Sequence, residues 1–101
     1  MTVRAAQRVD RWLWFARFFK TRSAAARLVA AGRVRIGTGG ATRRMAKPSQ
    51  TVAEGDVLTF PQGRQVRVVR IVALGHRRGP APEAATLFED LAPPGAAGRS
   101  E

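Results

Sequence analysis

The residues with chemistry to offer in this chain are its cations, and they are densely spaced. Arg8, Arg11, Lys20, Arg22, Arg27, Arg33, Arg35, Arg43, Arg44 and Lys47 all precede residue 50, with the hydroxyls of Thr21 and Ser23 among them. Guanidinium forks and ammonium groups, with hydroxyl donors between them, suit the oxygens of phosphates. Catalytic groups are scarce. The only histidine, His76, has no cysteine, second histidine or serine–acid pair near it in sequence, so neither a metal cage nor a nucleophilic relay is indicated. Glu54 and Asp56 flank a glycine and read as turn caps, not as a pair sharing a proton. The run Gly37-Thr38-Gly39-Gly40 lacks the Lys-Ser/Thr and the following helix of a phosphate-cradling loop, and reads as a plain turn. With no cysteine there is no disulfide and no thiolate chemistry. No catalytic residue, metal ligand, cofactor or small-molecule substrate is expected.

The distribution of charge says more than its total. Residues 1 to 50 hold 12 Lys/Arg against one acid, Asp10, whereas residues 51 to 101 hold six of each sign, so the whole net charge of +11 belongs to the first half. A domain charged on one side in this way meets a polyanion, because neutralising phosphates releases condensed counterions. At 101 residues the chain is one small domain, too short for a large enzyme cleft beside its core. Its apolar runs are far shorter than the roughly 20 residues that span a bilayer, and residues 1 to 11 carry no apolar signal core. A cytoplasmic protein without a membrane partner is expected.

These side chains need elements to hold them. Asp10 reads as the cap of a first helix running to Lys20. Val9, Leu13 and Ala16 share one face of it with Trp12, Phe15 and Phe19 beside them, while Trp14 and Phe18 point elsewhere, so it needs cover on more than one side. The aromatics are read as core, with Trp14 the one candidate for stacking on a base. Thr21 caps a second helix, Arg22 to Ala31, which Gly32 ends, and its buried stripe is Ala25, Leu28, Val29 and Gly32. So short a connection makes an αα-hairpin. Arg33 to Ile36 alternates as a half-buried strand does, and Thr42 to Lys47 reads as a basic loop before Pro48.

Glu54-Gly55-Asp56 turns into a strand that Pro61 ends. Gln65 to Leu74 is the longest strand. Val66, Val68, Val72 and Leu74 share one parity and Val69 and Ile71 the other, which calls for cover on both faces or, as preferred, a bulge near Arg70. Pro82 and Glu83 open a third helix in which Ala84, Leu87, Phe88 and Leu91 fall at i, i+3, i+4 and i+7. The fold class is α+β: a helix hairpin packed on a small, mostly antiparallel sheet, with a C-terminal helix. A monomer is expected, since no second apolar face remains.

The motifs Arg8-Val9-Asp10, Lys20-Thr21-Arg22-Ser23, Leu28-Val29, Gly32-Arg33-Val34, Lys47-Pro48 and Gly55-Asp56-Val57-Leu58 resemble, in this succession, the S4 RNA-binding domain. More narrowly, Trp12-Leu13-Trp14, Arg17 to Arg22, Lys47-Pro48-Ser49 and Arg78-Gly79-Pro80-Ala81 are similar to the ribosome-associated fifteen-kilodalton heat-shock protein family. Residues 1–7, without apolar periodicity, read as a flexible arm and 92–101, with Pro93-Pro94-Gly95, as a disordered tail; the resemblance implies an RNA-binding domain at 8–60 and an extension packing on it at 61–91. It also implies large-subunit ribosomal RNA as partner, with peptidyl-tRNA a further candidate. The function implied is recognition of free large subunits that carry a stalled nascent chain on tRNA, to return them to use under stress. The alternative is a general structured-RNA-binding or ribosome-assembly factor, and a DNA-binding protein ranks below both. The expected RNA contact is one continuous face made by Arg8, Arg11, Lys20, Thr21, Arg22, Ser23, Arg27, Arg33, Arg35, Arg43, Arg44 and Lys47.

Overall fold

The computed structural model describes residues 5–38 and 40–91; positions 1–4 of the expected arm and the expected tail, 92–101, lie outside it. Strand β1 (Gln7–Arg8) leads into helix α1 (Val9–Phe15) and helix α2 (Arg22–Ala30). Strands β2 (Val34–Thr38), β3 (Ala41–Met45), β4 (Thr51–Val52), β5 (Val57–Gln62) and β6 (Gln65–Ile71) follow. A short helix α3 (Ala81–Ala84), a 3-10 turn (Ala85–Leu87) and β7 (Phe88–Leu91) complete the order. Five strands form an antiparallel sheet in the order β3-β2-β5-β6-β7, while β1 and β4 pair as a separate ribbon. The hairpin covers one face of the sheet. Val9, Trp12 and Leu13 of α1 and Ala25 and Val29 of α2 meet Val34, Ile36, Leu58, Phe60, Val69 and Ile71 in one buried cluster. The expected α+β class with a short C-terminal helix is what the chain adopts.

Helix α1 ends at Phe15, not at Lys20. The Arg17 amide donates to the Trp14 carbonyl and the Phe18 amide to the Leu13 carbonyl, and Arg17 itself sits at φ 66°. This is a Schellman ending with arginine in the left-handed position that glycine usually fills. Helix α2 ends in the same way, the Gly32 and Arg33 amides donating to the Val29 and Leu28 carbonyls, with Gly32 at φ 75°. The reversal at Arg17 turns Phe18 into the core, where it is 7% exposed, instead of pointing it away as a continued helix would. It also leaves carbonyls to satisfy. Arg78 donates to those of Trp14 and Phe19, Gln62 to that of Phe18, and Arg17 to that of Gly79, so the later part of the chain is tied to the end of α1.

The start of α2 follows expectation: the Thr21 hydroxyl accepts from the Ala24 amide at 3.0 Å. Thr21→Ala is expected to cost about 1 kcal/mol and to lower Tm by about 4–8 °C, as read by calorimetry.

Four further expectations are corrected. Over residues 42 to 45 the expected loop is part of the edge strand β3, paired with β2 from Val34–Met45 to Thr38–Ala41. Pro61 does not end β5. It lies opposite Val66, one pair inside the closing pair Gln62–Gln65, and β2 has already left the other side after Arg35–Thr59, so no partner needs an N–H there.

Strand β6 has no bulge and is not buried on both faces, since its register with β5 and with β7 is unbroken. Val69 and Ile71 face the core, while Val66 and Val72 are 54% and 47% exposed. Finally, Phe88 to Leu91 is not helix. It pairs with β6, where Glu89 meets Arg70 and Asp90 meets Arg67; partners on the neighbouring strand outweigh the helical spacing of the apolar residues.

Candidate nucleic-acid interface

Asp10 does not cap a helix. It lies inside the first turn of α1, and the amides of Val9 and Asp10 donate to the carbonyls of Gln50 and Pro48 instead. The positive end of α1 is thereby occupied by the turn that follows Lys47. Asp10 is 2% exposed. Its two oxygens accept from Nε and Nη2 of Arg8 at 3.1 and 3.0 Å, and Nε of Arg22, the first residue of α2, lies 3.7 Å away. Burial works to raise the Asp10 pKa, but the bonds and charge of Arg8, the charge of Arg22 and the Arg11 amide together hold it below the usual carboxylate range.

Two arginines from separate elements are thus drawn to one carboxylate that can satisfy only part of their donors. Their outer N–H groups stay at the surface, the two side chains being 43% and 41% exposed. Beside them, the Thr21 hydroxyl takes the Ala24 amide, and the earlier amides of the α2 first turn, those of Arg22 and Ser23, have no intrahelical acceptor. Lys47 borders the group through the Pro48 carbonyl that Asp10 holds; its own amide and that of Ala46 donate to the Gln50 side chain. The arrangement offers a fixed cation pair with backbone donors alongside, which is what a phosphate diester binds.

The other expected contact residues are placed as follows. Lys20, Thr21 and Ser23 are exposed in the hairpin turn and first turn of α2, Arg27 is exposed one turn beyond Ser23, and Arg11 is exposed on α1. Arg33 and Arg35 leave the other side of the sheet, where Arg35 lies directly opposite Arg44. Arg43 lies opposite Ile36, whose side chain enters the core, so Arg43 and Arg44 leave opposite faces of β3. The cations therefore form a group on the helix side and a group on the open side of the sheet, not one flat face. Trp14 is half-buried, with the Arg78 guanidinium carbon 5.7 Å from its ring and Phe15 at 5.5 Å between centroids.

The residue that sequence reasoning misassigned is Asp10, and a signal was available. It is the one acid among 12 cations in the first 50 residues. A lone acid in such a field is more usefully read as a counter-ion than as a cap.

A model of the S4 domain matches residues 7–58, which contain the hairpin, the Asp10 cluster and strands β2 to β4. Heat shock protein 15 of Escherichia coli K12 is 40% identical over 85 residues, 84% of this chain and 60% of that protein. The solved structure of Vibrio cholerae heat shock protein 15 has 38% identity and a TM-score of 0.74, covering 87% of this chain and 84% of that one. This chain belongs to the S4 RNA-binding domain family and is homologous to heat shock protein 15. The homologue from Haemophilus influenzae is 39% identical over 83 residues. The chain spans about 60% of the length of these E. coli and H. influenzae proteins. The V. cholerae heat shock protein 15 structure is trimeric, so this relative gives no support to the monomer expected from the sequence. Among the described residues, no helix is long and apolar enough to cross a membrane.

Proposed function

We propose that this S4 protein binds RNA of the large ribosomal subunit, recognising free subunits that carry a stalled nascent chain on tRNA and helping to recycle them under stress. The observation that carries the reading is the pair Arg8 and Arg22, held on the buried Asp10 beside the open amides of α2, in a domain whose net charge lies wholly in its first half. The ribosomal part of the reading rests on the resemblance to the ribosome-associated fifteen-kilodalton heat-shock protein family, with which homology to heat shock protein 15 agrees. Arg11, Lys20, Thr21, Ser23, Arg27, Arg43 and Lys47 extend the helix-side contact, and Arg33, Arg35 and Arg44 supply cations on the open side. Residues 8–60 act as the RNA-binding unit and 61–91 as the extension that braces it. The protein works in the cytoplasm, without catalysis, as a self-associating species like its V. cholerae relative.

Reading of duplex DNA is disfavoured by α2 itself, which offers Ser23 and Arg27 amid alanines at its surface and so has few groups for base edges. A glutamate at 22 would face the Asp10 carboxylate, so Arg22→Gln is the informative change there. Combined with Arg27→Glu, it is expected to weaken RNA binding at least tenfold near 0.1 M salt and to flatten the salt dependence by about two phosphates, with the far-ultraviolet dichroism unchanged. Sedimentation with ribosomal particles tests the finer reading. Binding to stalled free large subunits, and not to small subunits or intact ribosomes, is expected; equal binding to all would leave a general structured-RNA-binding protein.

A further inference from the structure

The face of the five-stranded sheet turned away from the helices is uncovered among the described residues. Its side chains follow from the register: Arg44, Arg35, Thr59, Val68 and Leu91 form one row across the strands, and Gly37, Val57, Arg70 and Glu89 the next. All of these are exposed or half-buried, whereas the alternate residues Ile36, Leu58 and Val69 are buried. The two halves of this face are built differently. On the β6–β7 side Arg70 lies opposite Glu89 and pairs with it. On the β2–β3 side Arg35 lies opposite Arg44, like charge against like, the arrangement that weakens a sheet.

Nothing among the described residues relieves this. The guanidinium groups of Arg33, Arg35 and Arg44 make no ion pair or hydrogen bond with another described residue. They are nonetheless gathered. Arg33 and Arg35 line one depression with Thr59, Pro61 and Val66. The stem of Arg44 crosses Gly32 so closely that a Cβ there would lie 3.1 Å from its Cδ, which brings this third guanidinium to the same corner. A sheet that pairs its charges on one half and concentrates unopposed arginines on the other has a polyanion as the fitting complement of the second half.

We propose that Arg33, Arg35 and Arg44 form a second RNA-backbone site, on the open face of the sheet and separate from the Arg8–Arg22 pair, so that the domain contacts phosphates on both sides of the sheet. The proposal rests on the RNA-binding reading above and adds a second point of contact to it. Because the site is built from mutual repulsion, it costs stability when empty. Neutralising one member is therefore expected to move stability and binding in opposite directions, which a merely solvated arginine would not do.

The test uses the full chain, purified large-subunit ribosomal RNA as probe, and the variants R44Q, R35Q, R35Q/R44Q and R70Q. Glutamine keeps the carbons of Arg44 that pack on Gly32. R44Q is expected to raise Tm by about 2–5 °C, and this gain is expected to vanish in the R35Q background, since the pair is its source. R35Q/R44Q is expected to bind RNA about tenfold more weakly near 0.1 M salt with a shallower salt slope. R70Q, which breaks a pair, is expected to lower Tm and leave affinity within about twofold. If the parent chain binds RNA and R35Q/R44Q binds it equally well, or if R44Q gains no stability, the second site is overturned while the first stands. If the parent chain itself shows no salt-dependent RNA binding, the RNA reading falls and the second site with it.

Discussion

Asparagine at position 10 is expected to lower both the stability of the fold and its affinity for RNA, although it removes a negative charge from a surface proposed to meet phosphates. Removing an acid from a polyanion-binding face ordinarily strengthens binding through the general field. Here the acid is buried and holds Arg8 through two hydrogen bonds and Arg22 at 3.7 Å. Asparagine keeps the shape but gives up the charge, leaving two guanidinium groups side by side with no counter-ion. The cost is set at about 2 kcal/mol, between that of an exposed pair and that of a buried one losing a partner. Freed of Asp10, both side chains regain rotamer freedom that must be lost again when a phosphate binds.

Binding is expected to weaken about three- to tenfold, a range set by the order of such ordering costs. Because Asp10 acts through the arginines, the same change in an Arg8→Gln/Arg22→Gln background should leave binding where that background puts it. An additive further loss would mean that Asp10 serves the fold alone. The pH dependence has a definite sign. The folded carboxyl titrates below its ordinary range, so between the two values the unfolded chain carries a proton that the folded chain does not. The stabilisation is complete above the unfolded value, near 4, and is lost as pH falls through the folded one. Parent and variant stabilities should therefore converge in acid and diverge toward neutrality, as read by urea unfolding across that range.

The sequence disclosed most where a local rule met no tertiary competitor. Thr21 and Gly32 bracket α2 because a hydroxyl cap and a left-handed glycine act over three or four residues, and both signals are written in adjacent positions. Arg33 to Ile36 alternates cleanly because one face of β2 is buried and the other is not. The basic residues were legible as a set for the same reason, since charge needs no fold to be counted. Their division between two sides of the sheet was not, because it turns on the parity of β3, which the loop-like reading of residues 42 to 47 concealed.

Where the reading failed, a partner distant in sequence decided. Val66 and Val72 look like core by type, yet the parity of β6 places Val66 on the face that no described element covers, and Val72, just past the end of the strand, is exposed as well. The spacing of Ala84, Leu87, Phe88 and Leu91 suits a helix, but Arg67 and Arg70 on β6 offer Asp90 and Glu89 partners only if the chain runs extended beside them. Asp10 satisfied the pattern of a cap, and the carbonyls that took over the amides of α1 come from Pro48 and Gln50, about 40 residues away. Helix periodicity, strand parity and capping are each local, and the core of a domain this size is mostly contacts that are not.

The stretch from Trp14 to Lys20 shows this most sharply, and Phe18→Ala is expected to be the most damaging single change in the chain. A helix continued to Lys20 would place Phe18 on the side opposite Val9, Leu13 and Ala16, away from the core. The reversal at Arg17 instead sends Phe18 between the hairpin and the sheet. Its ring lies 5.1 Å from Phe60, 4.6 Å from Phe88 and 6.1 Å from Trp12 by centroids, and the Arg67 guanidinium carbon stands 5.1 Å from its centre. Phe18 therefore joins α1, β5, β6 and β7. Truncation removes the ring and leaves a cavity among rigid aromatics, at a cost of about 3–5 kcal/mol. That is a large share of the roughly 5–15 kcal/mol that stabilises a domain. Phe19 is only partly buried and meets Phe60 at 6.0 Å, so Phe19→Ala should cost much less. Urea unfolding of the two variants separates the two backbones: a loss at position 18 well above that at 19 is the outcome of the reversal, and the opposite order would restore the helix to Lys20.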